Sequence, residues 1–256
     1  MNSKQSRGYL VCATLAKPFY EAAIEMIKGL KDEVPDAKVA FFTHDDWIED
    51  EHRPLIDHLF TPCPVHNRTK LWALDKTPFD TTMYIDADCH VLTEEIEEVF
   101  DHMEEAGPEC DILMVVFFQD KHQAPDGEAR ELHHYNGEHI ELYRQGKAHK
   151  FRWHCGMFVW RKNEKTQKLW KEWLRIYRLH NETEPRGAGC DPYPASLAYW
   201  DTFAFWRVLH EQAELGIDIR RMPKDAKYNF VIGYKTTELL YGEEAAVLHY
   251  TIPPED

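Results

Sequence analysis

Apolar and polar positions follow two rhythms along this chain. Short, almost unbroken apolar runs at 8–13, 38–42, 82–85, 111–118, 155–160 and 245–250 have the length and the β-branched and aromatic content of buried strands. Between several of them the apolar residues recur at helical spacing. Ala23, Ile24, Ile27 and Leu30 mark one face of a first helix, and Ile96, Val99, Phe100 and Met103 another. Leu169, Trp170, Trp173, Leu174 and Tyr177 mark the face of a longer helix over 163–180. Thr93 reads as the N-cap of the second of these, and Ser196 as the cap of a further helix running to Gln212. Strand, helix and strand over 8–42 predict an α/β fold with strand ends at one edge of a sheet, where such folds bind nucleotides.

The interruptions are as informative as the runs. Residues 45–69 are polar and broken by Pro54, Pro62 and Pro64, which predicts turns and one brief helix before Lys70-Leu71-Trp72-Ala73-Leu74 resumes a helical pattern. Residues 119–153 carry His122, His133, His134, His139 and His149 without a sustained apolar period, which predicts a lid or acceptor-side insertion. There is no repeat, no low-complexity tract and no convincing linker, so 1–256 is expected to form one domain. No Gly-x-Gly-x-x-Gly follows the first strand and no Walker-type loop is present, which removes the main support for a dinucleotide oxidoreductase or a P-loop NTPase.

Composition narrows the class. A formal charge of −15, from 30 Lys+Arg against 45 Asp+Glu, disfavours a partner held by unspecific phosphate attraction, such as duplex DNA. The six cysteines lie far apart with no C-x-x-C pair and no secretory leader, as expected of free thiols in a reducing compartment. The apolar stretch after the polar first residues is too short to span a bilayer. A soluble cytoplasmic protein without a transmembrane segment is the expectation.

The chemistry concentrates at 79–92. The strand Thr82–Ile85 ends in Asp86 and Asp88, separated by the small Ala87. Residues i and i+2 of an extended chain project to the same side, so both carboxylates can face one cation, and two acids at the end of a buried strand are costly without positive charge. The competing reading, one Asp capping the next helix and the other solvated, is equally open from the triplet alone. Asp201 sits among Trp200, Phe203, Phe205 and Trp206, which demands an exposed face or a specific partner. Gly156 permits close backbone approach in its strand.

Seven motifs occur in an order that resembles a known family. They are Lys70-Leu71-Trp72-Ala73-Leu74, Thr77-Pro78-Phe79-Asp80, Met83-Tyr84-Ile85-Asp86-Ala87-Asp88, Cys155-Gly156-Met157-Phe158-Val159-Trp160, Asp201-Thr202-Phe203-Ala204-Phe205-Trp206, Tyr228-Asn229-Phe230 and Leu248-His249-Tyr250. Together they are similar to GT-A glycosyltransferases, and within them to family eight, the glycogenin and galactosyltransferase group. The resemblance implies a Rossmann-like nucleotide-diphospho-sugar transferase fold with a central mixed, mostly parallel sheet flanked by helices.

It also implies roles. Asp86 and Asp88 correspond to the metal-binding Asp-x-Asp motif, and His249 to a third ligand of the same ion, manganese or magnesium. Lys70 corresponds to a lysine that approaches the donor's phosphates or sugar. Thr14, Lys17 and Tyr20 fall in the loop that receives base and ribose, and Asp201 near the transferred sugar and acceptor. Asp88 and Asp201 would then carry the catalytic work. The departures are Thr202 in place of a glutamine, Cys155 with His154 before the glycine, and the ending Thr251–Asp256 in place of a Lys-Pro-Trp-like element, with Lys235 or Lys17 left to meet the diphosphate.

The implied activity is metal-dependent hexosyl or pentosyl transfer, with retention, from a nucleotide sugar such as a UDP-sugar. The acceptor could be a glycan, a protein, a small molecule or a modified nucleobase. The alternatives are a nucleotidyltransferase that makes activated sugars, whose Gly-rich basic signature is missing from residues 9–17, and a non-catalytic sugar or nucleotide binder.

Overall fold

The computed structural model describes residues 6–116, 153–182, 199–231 and 245–250. The expected insertion, apart from Trp153, lies outside these residues. So do its histidines, Lys235, Cys190, the Ser196 cap and the final Thr251–Asp256.

The strands are β1 (Arg7–Cys12), β2 (Val39–Phe42), β3 (His58–Phe60), β4 (Thr81–Ile85), β5 (Cys89–Val91), β6 (Ile112–Val116), β7 (Trp153–Arg161), β8 (Ile219–Arg221), β9 (Phe230–Val231) and β10 (Val247–His249). The helices are α1 (Lys17–Glu33), α2 (Lys70–Ala73), α3 (Glu98–Glu105), α4 (Glu164–Asn181), α5 (Asp201–Glu211) and α6 (Asp225–Tyr228). The large sheet has the order β3-β2-β1-β4-β7-β6-β8. Its neighbours pair in parallel except that β7 runs against β4 and β6. This is the mixed, mostly parallel sheet that was expected. The carboxyl ends of β1, β2 and β4 therefore share one edge.

Period-two burial in the strands divides the core between the faces of the sheet. Tyr9, Val11, Met83, Ile85, Met157 and Val159 pack with α1 and α3, while Leu10, Tyr84, Phe158 and Trp160 pack with α4 and α5. The second face is dominated by aromatic rings. Trp170 lies against Phe158 and Trp160, and Trp173 meets the Phe205 ring at 4.6 Å between centroids. Asn163 caps α4, accepting from the Thr166 N–H at 2.9 Å while Thr166 Oγ1 accepts from the Asn163 N–H, a reciprocal box.

Several expected boundaries move. Helix α1 begins at Lys17, with Pro18 in its first turn where a missing N–H costs nothing. Lys17 and Tyr20 are thus helical rather than part of a connecting loop. Short β3, β5 and β8 carry too few residues to show a period, and α5 starts at Asp201 rather than near Ser196. Thr93 does precede a helical turn, but its side chain makes no capping hydrogen bond.

The α4–α5 contact buries one titratable group. His180 is fully buried and stacks on Phe203; its Nε2 accepts from Arg207 Nη1 at 2.8 Å, so the proton sits on Nδ1, which has no hydrogen-bond partner among the described residues. Burial, and then the Arg207 charge, push its pKa down to about 4. Between about 6.5, the value of an unfolded histidine, and about 4, the unfolded chain binds the proton first, so stability falls as pH falls. Urea midpoints across that window should drop more steeply for the native sequence than for His180→Gln. Parallel slopes would show that His180 is not the group responsible.

Candidate active site

Strand β4 delivers Asp86 and Asp88 to the carboxyl edge of the sheet, and the small three-stranded sheet brings the histidine to them. In that sheet, ordered β5-β10-β9, β10 runs antiparallel to β5 with His249 opposite Cys89. The Tyr250 N–H also donates to Asp88 O at 2.8 Å. His249 Nε2 comes to 3.2 Å from Asp88 Oδ1 and 4.0 Å from Asp86 Oδ2. Its Nδ1–H donates to Asn229 Oδ1 at 2.7 Å, which turns Nε2 toward the carboxylates. The Asn229 amide also reaches His154 Nδ1, at 3.4 Å, and so ties the two imidazoles together.

Gly156 is the floor of this corner. A Cβ there would stand 2.7 Å from Asp86 Oδ2, 2.7 Å from His249 Cε1 and 2.6 Å from His154 Cε1. Any side chain would push the carboxylate and imidazole aside. Close approach, not an unusual backbone angle, is the reason for glycine.

The other half of the site is a buried ion network. Lys70 and Asp201 are each only 4% exposed. Lys70 Nζ donates to Cys155 O at 2.7 Å, pairs with Asp201 Oδ2 at 2.8 Å, and lies 3.6 Å from Asp86 Oδ1. The ammonium is thus hydrogen-bonded to a backbone carbonyl and flanked by two carboxylates. Burial works against its charge, but Asp201 and Asp86 outweigh burial and raise its pKa. Burial likewise opposes ionisation of Asp201, yet Arg68 and Lys70 hold its carboxyl well below the usual range. Arg68 Nε lies 3.5 Å from Asp201 Oδ1. Asp201 opens α5, and its backbone oxygen accepts from Trp173 Nε1 at 2.8 Å, so the aromatic core anchors the turn that presents the carboxylate. Asp86 is pushed upward by burial, pulled down by Lys70 and pushed up again by Asp88; Tyr84 donates its hydroxyl to Asp86 Oδ1.

A pocket opens along these groups, lined by residues that include Cys12, Thr14, Phe19, Arg68, Tyr84 and Asp88. A second pocket adjoins it across His66, Asn67 and Arg68, with Tyr177, Tyr199 and Trp200 on its far wall. Tyr199 and Trp200 are half-exposed.

Of the residues singled out from sequence, Thr14, Lys70, Asp86, Asp88, Asp201 and His249 converge here. Lys17 and Tyr20 do not line the pocket. Tyr20 lies on the apolar face of α1, stacked on Phe41 with its hydroxyl 2.8 Å from His52 Nδ1, because the helix starts three residues before it. Lys17 is exposed, 3.9 Å from Glu49. Thr14 is buried, its hydroxyl in contact with that of Thr69. Arg68 and the positioning role of Tyr84 were not anticipated. The available signal for Arg68 was a cation two residues before Lys70 in a chain where a buried acid lacked a partner. Among the described residues, no helix is long and apolar enough to cross a membrane.

No protein-family model matches the sequence, and no curated protein matches it. Solved structures do match. The galactosyltransferase LgtC, in complex with donor and acceptor sugar analogues, aligns with a TM-score of 0.52 at 13% identity, over 97% of this chain and 88% of its own. Mouse xyloside xylosyltransferase 1 aligns with a TM-score of 0.53 at 12% identity, over 95% of this chain and 96% of its own. The glycosyltransferase GlyE of Streptococcus pneumoniae gives 0.56 at 14% identity over 97% of this chain. The chain spans 56% of GlyE and 47% of the bifunctional glycosyltransferase WbbM. At these identities the likeness is one of architecture, and with the mixed sheet and its acidic carboxyl edge it establishes that this chain has the GT-A fold.

Proposed function

We propose that this chain transfers a sugar from a nucleoside-diphosphate sugar, such as a UDP-sugar, to an acceptor hydroxyl, with a divalent cation bound at Asp86, Asp88 and His249. One observation carries the reading. Two carboxylates and an imidazole Nε2, oriented by Asn229, converge at the mouth of a pocket whose buried lysine is already engaged by Asp201, Asp86 and Cys155 O. Oxygen donors and one imidazole fit a manganese or magnesium ion. When bound, that ion would act as a Lewis acid toward the departing diphosphate.

The protein's own groups divide the remaining work. The first pocket, with Thr14 on its wall, would receive the nucleoside and diphosphate at the ends of β1 and β4. Lys70 would serve mainly as a strut that holds Asp86 and Asp201 in one arrangement, since it is buried between the two carboxylates. The fixed Asp201 carboxylate would face the transferred sugar and stabilise positive character at its anomeric carbon. In the reaction the bond from the anomeric carbon to phosphate oxygen breaks and a bond to the acceptor oxygen forms. The acceptor's proton passes to the leaving diphosphate, which needs no carboxylate base and accords with retention. The second pocket, with Tyr199 and Trp200 at its rim, is the acceptor side in this reading.

Thermal stabilisation by nucleoside diphosphates with and without manganese tests the donor site. Release of nucleoside diphosphate from a panel of nucleotide sugars tests transfer. No stabilisation by any nucleoside diphosphate in the presence of manganese would sink the proposal. Stabilisation without turnover would favour the non-catalytic binder, and release of pyrophosphate from a nucleoside triphosphate would favour the nucleotidyltransferase.

Gly156→Ala offers a sharper check of the cation corner. The chain should fold, but the added methyl displaces Asp86 or His249. Manganese affinity, measured by calorimetry, should fall by about 10- to 100-fold, as when groups that orient metal ligands are disturbed. Unchanged affinity would mean that the ion does not bind at this corner.

A further inference from the structure

We propose that Cys89 supplies a sulfur donor to the cation site, so that the site takes zinc and cobalt with a selectivity over manganese that oxygen and nitrogen donors alone would not give. The inference rests on the reading of Asp88 and His249 as cation ligands.

The geometry singles out the thiol. Ligand atoms of Asp88, Cys89 and His249 all lie within 4.8 Å of one another. Donors around one ion at about 2.0–2.3 Å each stand no more than about 4.6 Å apart, so small side-chain adjustments would bring these three onto a common ion. The closeness is built into the backbone, because the β5–β10 register sets Cys89 directly opposite His249. Asp86, the other acid of the triplet, is less free to close on the same point. Its Oδ1 is engaged by Tyr84 and faces Lys70 at 3.6 Å. Cys89 is a free, buried thiol.

On ligation the S–H bond breaks, a sulfur–metal bond forms and the proton leaves to solvent. A thiolate is a soft donor and favours zinc or cobalt over manganese beyond the general affinity order of divalent ions. The site would thus combine the hard oxygens that suit a diphosphate-bound ion with one soft ligand. The metal that loads it would depend on Cys89 as well as on the two acids.

Cobalt titration of the full chain reads the ligand directly. Native protein should show visible d–d bands together with a near-ultraviolet sulfur-to-cobalt charge-transfer band. Cys89→Ser should keep the d–d bands and lose the charge-transfer band. The zinc-to-manganese affinity ratio should fall by at least about tenfold in that variant, and Cys89→Ala should behave likewise, each with a metal-free melting midpoint close to native. Cobalt binding without the sulfur band, or an unchanged zinc-to-manganese ratio in both variants, would overturn the role of Cys89 while leaving the cation site standing. Cobalt affinity unaffected by Asp88→Asn and by His249→Ala would overturn the cation site itself, and Cys89 with it.

Discussion

Lys70→Met should destabilise the fold by about 3–5 kcal/mol, the usual cost of removing one partner from a buried ion pair. The magnitude follows from what remains rather than from what is lost. Without the ammonium, the buried Asp201 carboxylate loses its nearest cation, Asp86 loses a neighbouring positive charge, and Cys155 O loses its donor. Arg68 offsets only part of this, from 3.5 Å on the far side of Asp201. Urea unfolding of the metal-free chain measures the effect. Pairing the change with Asp201→Asn should recover a large part of it, because the double variant leaves less uncompensated charge. A Lys70→Met chain as stable as native would mean that water or a relaxed backbone already screens the pair.

The same network sets an acid limit. The carboxyl of Asp201 has a lower pKa folded than unfolded. Its contribution is therefore present above the unfolded value of about 3.9 and is lost as pH falls from there through the folded value. Asp201→Asn should lower stability at neutral pH and flatten the acid limb of the stability profile. Lys70, whose pKa is raised, contributes fully below about 10.4 and loses its contribution only as pH rises through its folded value.

The second large effect falls on activity. Asp88→Asn should lower manganese-dependent sugar transfer by about 10²–10³-fold, because the cation is asked for several kcal/mol of leaving-group stabilisation. Its effect on the metal-free fold should be small beside that of Lys70→Met. Asp88 raises the cost of ionising Asp86 but also pairs with His249 Nε2 at 3.2 Å, so its removal relieves a repulsion, forfeits a contact and leaves the melting midpoint close to native. The variant should also lose the stabilisation that manganese gives the native chain. Transfer that survives at the native rate would move the catalytic centre away from this corner. A large drop in metal-free stability would instead make Asp88 a structural residue.

Much of the scaffold was legible because strong periods survive translation into structure. The buried runs became β1, β2, β4, β6 and β7, and the Trp170–Trp173–Tyr177 stripe became the packed face of α4. Short elements were not legible. β3, β5, β8 and β9 have two or three residues each, less than is needed to display alternation. Tyr20 shows how a boundary decides a role. Moving the helix start to Lys17 carries it from a loop into the core.

The sequence by itself determined the α/β class and the acidic end of the fourth strand, since local period and the cost of buried carboxylates need no knowledge of distant partners. It also marked His249 and Asp201 as residues of interest, through an ordered resemblance that the fold has since met. Tertiary structure alone decided how those residues meet. The antiparallel register of β10 on β5 sets His249 opposite Cys89 and within 3.2 Å of Asp88, the close approach at Gly156 makes room for it, and Asn229 orients its ring. It also engaged Lys70 with two acids and a carbonyl, added Arg68, and drew Cys89 into reach of the cation corner. The reason is physical: strand periodicity is written in neighbours two residues apart, whereas charge compensation and ligand geometry depend on groups separated by up to 163 positions, which only the folded sheet brings within a few ångströms.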